Sequence, residues 1–121
     1  MFVTSQGSAY ARFRRALASG NGLIAWAAAS DLPNVGLADA LAVCLLLVDV
    51  DRPRYERAAV RWHSRLCSEV RGLALEESQL ALAALDALPS QAAAEALARL
   101  ADAHGAPEIA EVIDSWAARR W

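Results

Sequence analysis

Lysine is absent from this chain of 121 residues, whose basic side chains are 12 arginines set against 14 acids. The resulting net charge of -2 denies it the overall signature of a polyanion binder. Valine, isoleucine, threonine, tyrosine and phenylalanine are sparse, which leaves little from which to build strands. Only two cysteines occur, Cys44 and Cys67, and both sit inside apolar segments. That excludes a secreted disulfide framework and reads as small reduced hydrophobes in a cytoplasmic protein. The most apolar run, Ala40 to Val48, is nine residues, about half of the roughly 20 that a membrane-spanning helix needs. The opening stretch, Met1 to Ser8, has no basic segment and no apolar core. It is therefore expected to form a short disordered tail over residues 1–7 rather than a signal peptide, ahead of one domain over 8–121. No diagnostic catalytic, metal or phosphate-binding motif is present, and no cofactor is expected.

Alanine and leucine together supply 46 residues, both strong helix formers. With 56% apolar and 21% charged residues, the chain can offset its ordering entropy by burial. Abundant alanine and arginine without lysine is also what GC-rich codons produce, which points to a bacterial source and weakens any functional reading of the missing lysines. Clusters at Gly20-Asn21-Gly22, Pro33 to Gly36, Asp51 to Pro53, Gly72, Pro89-Ser90 and Gly105 to Pro107 punctuate the chain. Seven short helices fit between them: Ser8–Ser19, Leu23–Leu32, Leu37–Asp49, Pro53 to Gly72, Gly72 to Leu88, Ser90–His104 and Pro107 to the C-terminal end. Asp51 and Ser90 stand in N-cap positions, Gly105 in the C′ place and Pro107 at N1. The third helix is apolar nearly all round and is expected at the centre.

Short connections favour antiparallel neighbours, so the fold class is all-α, an antiparallel helical array or irregular bundle. A shift of 39 residues superposes Leu41 on Leu80, Leu46 on Leu85, Glu56 on Glu95 and Ala59 on Ala98. That is a weak solenoid-like repeat without the tetratricopeptide spacing of Trp, Leu-Gly and Tyr.

The most specific feature lies on the fourth helix, where Arg54, Arg57, Arg61 and Arg65 follow steps of 3, 4 and 4 and share one narrow stripe. Tyr55, Ala59, Trp62, Leu66 and Val70 form a second stripe that should face the core. Like charges one turn apart repel, and only Arg52 with Glu56 and Arg65 with Glu69 offer compensation within the helix. Asp31, Asp39, Asp49, Asp51, Glu76 or Glu77 should fold back beside the stripe, or an acidic partner should cover it. Residues 1–71 carry 9 arginines and 6 acids, and residues 72–121 carry 3 arginines and 8 acids. A basic and an acidic half of this kind can pair within one fold or between two copies.

Other constellations are weaker. His63 and Cys67 are one turn apart, with Glu56 two turns before, but a closed metal site needs four ligands at recognisable spacing, and no CxxC or HxxxH accompanies them. Cys67 is expected to pack at the core edge with His63 as a boundary residue, rather than to form a nucleophile and base. Helices five and six could be read as a helix-turn-helix, yet the start of the sixth offers little beyond Gln91 before Glu95. Trp26 and Trp62 are expected to fill core volume, each indole N–H needing a partner or a wet edge. In the last helix Ile109, Val112, Ile113 and Trp116 form an apolar face that should pack on the domain. The sharper alternative is an exposed anchor of Trp116, Arg119, Arg120 and Trp121, since aromatic and arginine side chains dominate binding hot spots.

The reading that follows is a small cytoplasmic protein-interaction module, adaptor or regulatory, with no catalytic activity of its own and no membrane association. Its partner is another protein or a second copy of itself. The alternative is a nucleic-acid-binding accessory protein that contacts phosphates through the arginine stripe.

Overall fold

The punctuation residues are where the helices break. A computed structural model describes residues 5–121, and among these there are seven α-helices and no strand. They are α1 (Ser5–Ser19), α2 (Gly22–Ala29), α3 (Leu37–Leu47), α4 (Arg52–Glu69), α5 (Leu75–Ala87), α6 (Gln91–Ala103) and α7 (Pro107–Arg120).

Several boundaries shift by one to three residues from expectation, two of them for clear local reasons. α1 starts at Ser5, so residues 5–7 of the expected tail are helical; a lone glycine inside a helix costs only about 1 kcal/mol, and Gly7 does not stop it. Positions 1–4 of that tail lie outside the described residues. α2 ends at Ala29 instead of Leu32, because the residue before Pro33 is steered away from helical backbone. The chain unwinds there through tighter bonds, from Ser30 to the Ala27 carbonyl, Asp31 to Ala28 and Leu32 to Ala29.

Elsewhere the caps do what their chemistry allows. Asn21, Asp51 and Ser90 accept the amide N–H of Ile24, Arg54 and Ala93 at the starts of α2, α4 and α6. Gly20, Gly72 and Gly105 take positive φ where helices stop.

α3 is the hub, as its all-round apolar surface requires. Leu41, Val43, Cys44, Leu45 and Leu47 are buried, and α3 packs against α2, α4 and α7. From α3 the order runs α4, α5, α6, α7, each helix against the next, and α7 then lies against α3. The array therefore closes on itself, where a solenoid would stay open. α4 and α5 are antiparallel: Arg52 and Tyr55 at the start of α4 meet the end of α5, and His63 meets Ser78 near its beginning. α1 and α2 form a separate hairpin leaning on α3. Gly22 sits so close to α3 that an added Cβ would lie 2.7 Å from the Leu46 carbonyl oxygen. Among the described residues no charged side chain is buried, and the polar tips of buried Tyr55 and Trp62 are hydrogen-bonded.

Tyr55, Ala59, Trp62 and Leu66 of the inner stripe of α4 are buried as expected, while Val70, at the C-cap, is half-buried against the core. The Trp62 indole donates to the Leu37 carbonyl at 2.7 Å, which fixes α4 to the first turn of α3. With its inner stripe locked inward, α4 turns its arginines outward.

Candidate functional site

The four arginines of α4 share one side of the helix, but their surroundings divide them. Arg54 pairs with Asp51 at 3.3 Å and lays its guanidinium over the Trp26 ring, 4.5 Å from the centroid. Arg65 donates to Glu69 at 2.7 Å, the compensation expected within the helix. Arg57 and Arg61, between them, are exposed and have no ion-pair partner among the described residues.

Of the acids expected to fold back, only Asp51 does so. Asp39 accepts from Arg14 at 2.8 Å and from the Tyr10 hydroxyl at 3.0 Å. Asp49 accepts both terminal nitrogens of Arg120, and Glu77 pairs with His104 at 2.7 Å. The expected pairing of Arg52 with Glu56 gives way to another role. Arg52 donates to the carbonyls of Leu88 (2.7 Å) and Asp86 (2.8 Å), which the end of α5 leaves without helical partners.

Beside the stripe lies a cleft of about 230 Å³; alanine-rich packing can leave space of this kind between helices, but the sequence does not place it. Its floor is α3, through Ala40, Val43 and Cys44. One wall is α2, through Trp26 and Ala29; the other is α4, through Ala58 and Trp62, with Arg61 and Arg65 at the edge. Alanines on all three helices keep the space open. Their recurrence is the only signal in the sequence, and it is lost among 29 alanines. Trp62 is in the core as expected, whereas Trp26 is half-buried and forms part of this wall. Burial pushes the Cys44 thiol up to about 12, so it stays protonated and acts as an apolar surface rather than a nucleophile.

The C-terminal residues also divide. Trp116 is buried with Ile109 and Ile113 in the core, which places it in the packing face and not in an exposed anchor. Trp121 is half exposed and meets Trp116 edge to face with centroids 5.5 Å apart. Arg120 lies over both rings while it holds Asp49, which ties the end of α7 to the end of α3. That contact holds the Asp49 carboxyl below the usual range. Arg119 is exposed and faces a groove of about 450 Å³ between α1, α3 and α7. The groove mixes Arg14 and Arg119 with Asp39, Glu108 and Glu111, so it presents no single sign of charge.

His63 and Cys67 lie on the seam of α4 and α5. Cys67 is exposed rather than packed at the core edge, because its neighbour is the polar Ser78, whose hydroxyl is 3.1 Å from Sγ. His63 Nε2 is 2.8 Å from the Ser78 carbonyl oxygen and 3.7 Å from Cys67 Sγ. A carbonyl takes only a donor, so Nε2 carries its proton there and is not free to accept one from the thiol. Glu56 does not join them, and no group of three or more His, Cys, Asp or Glu converges among the described residues. No helix among these residues is long and apolar enough to cross a membrane.

Comparison with known proteins gives no relative to reason from: no family model, no curated protein and no solved structure matches the chain.

Proposed function

We propose that the protein is an interaction module that docks an acidic protein surface on the outer face of α4. The observation that carries this reading is the pair Arg57 and Arg61, adjacent on one exposed stripe and without an ion-pair partner among the described residues. Like charges so placed repel at a few tenths of a kcal/mol. An acidic partner removes that repulsion, adds charge-assisted bonds and speeds encounter. The partner is another protein or the acidic side of a second copy. Arg119 and Trp121 on the last helix remain accessible to it, while Trp116 and Arg120 serve the fold.

Phosphate binding through the same arginines has less behind it. Asp51 and Glu69 already neutralise Arg54 and Arg65, and backbone binding gains its strength from many released counterions at once. Capture from a nuclease-treated cell extract on the immobilised protein separates the two. Acidic proteins should be retained, released by roughly 0.5 M salt, at which the Debye length falls to about 4 Å and longer-range attraction is screened out, and lost on an R57E/R61E variant. Retention that disappears with nuclease would favour nucleic acid, and retention indifferent to R57E/R61E would remove α4 as the docking face.

A further inference from the structure

We infer that the cleft between α2, α3 and α4 is an anchor pocket that takes one large apolar side chain from an acidic helical segment of the partner. The inference rests on the docking face proposed above and names what that face recognises. Three observations converge on it.

Size comes first. At about 230 Å³ the cleft falls below the roughly 300–1,000 Å³ of small-molecule pockets, and its open mouth suits an inserted side chain better than an enclosed metabolite. Its chemistry is the second. Floor and walls are apolar, with Val43, Cys44, Ala58 and Trp62 giving a desolvated surface for an aliphatic or aromatic group. The third is the placement of charge. Arg61, without an ion-pair partner among the described residues, stands at the rim beside Arg65, which Glu69 already holds, and Arg57 lies one turn from Arg61 on the same stripe. A segment whose apolar residue enters the cleft therefore meets guanidinium groups with the residues flanking it. Two helices over the floor of a third also form the kind of groove in which amphipathic helices lie. The larger groove between α1, α3 and α7 offers no such match, since its charges are of both signs and Arg14 and Asp39 are already paired.

The test uses a fluorescein-labelled helical peptide of alanine and glutamate with one central leucine, followed by fluorescence anisotropy. Two companion peptides replace the leucine by alanine or every glutamate by glutamine. The leucine peptide should bind at least about tenfold more tightly than its alanine companion, as expected for a buried anchor. Ala58→Phe, which fills the cleft from a half-buried position, should erase that difference while leaving the weak binding common to both acidic peptides. Ala29→Phe fills it from the opposite wall, and thermal melts identify which variant keeps the fold. R57Q/R61Q should weaken both acidic peptides by similar factors. Equal binding with and without the leucine, unaffected by either filling variant, would overturn the anchor pocket and leave the arginine face standing. No preference for glutamate over glutamine peptides, or none lost in R57Q/R61Q, would overturn the docking face and the pocket with it.

Discussion

The carbonyl of Leu85 points along α5 to a residue, Pro89, that has no N–H to give it. The Tyr55 hydroxyl supplies the missing donor at 2.5 Å, inside the core, where burial drives the phenol pKa far above its ordinary value and keeps the proton in place. Tyr55→Phe keeps the ring and orphans the carbonyl. It should cost about 1–3 kcal/mol, the penalty of an unpaired buried group, seen as a lower urea midpoint with an unchanged slope. Gly22 shows the reverse relation between local and tertiary preference. Alanine is favoured over glycine within a helix by about 1 kcal/mol, but the atom it adds would meet the backbone of Leu46, which cannot swing aside. Overpacking of about 1–3 kcal/mol should win, so Gly22→Ala is expected to lower the melting temperature, and an increase would show that α2 does not press on α3. Neither effect is legible from residue type: Gly22 reads as a helix boundary, and nothing near it in the chain announces Leu46.

Between elements, helix ends are tied by side chains from other helices. Arg52 and Tyr55, one turn apart in α4, both serve the carbonyls that α5 leaves open. Glu77 accepts the Ala74 N–H at 2.9 Å, which caps α5, and with its other oxygen holds His104, the C-cap of α6. Hydrogen bonding by His104 first, then by the Ala74 amide, lowers the Glu77 pKa, and Arg120 does the same for Asp49. A carboxylate whose folded pKa is depressed contributes stability that is fully present above its unfolded value, about 3.9 for Asp and 4.3 for Glu, and is lost as pH falls through the folded one. The melting temperature should therefore hold from pH 7 to about 5 and decline below about 4, with a shallower decline in D49N/E77Q, whose neutral amides do not titrate. An identical acid slope in the double variant would show that these ties do not govern acid stability. The helices themselves were largely legible, because Asp51, Ser90, Gly105 and Pro107 act on neighbours in sequence. The ties were not: composition counts acids and arginines, while Asp39, Asp49 and Glu77 choose partners 25, 71 and 27 residues away.

At the scale of the molecule, the all-round apolar α3 and the two-sided α4 announced the centre and an outward arginine stripe, and both are where their patterns require. The place of the cleft was hidden because the alanines of three helices that make it look like the many other alanines of the chain. The two halves of the chain differ in charge, and few ion pairs offset the difference between them. Only Arg52 with Asp86 and Arg120 with Asp49 join an arginine to an acid across residue 71 among the described residues. Among the described exposed charges without ion-pair partners, residues 5–71 hold Arg12, Arg15, Arg57, Arg61 and Arg71 against Asp31 and Glu56, and residues 72–121 hold Glu76, Glu95, Asp102, Glu108, Glu111 and Asp114 against Arg99 and Arg119. A basic face on one copy that meets a different, acidic face on the next is a heterologous contact, which continues from copy to copy unless its rotation closes a ring. Weak self-association of this kind should appear in sedimentation as an average mass that rises with concentration at about 0.02 M salt, where charges act over some 20 Å or more, and it should vanish at about 0.5 M. R57E/R61E should abolish it at any salt. A monomer throughout would restrict the partner of α4 to another protein, because the acidic surface of this chain would then have been offered to its arginines and refused.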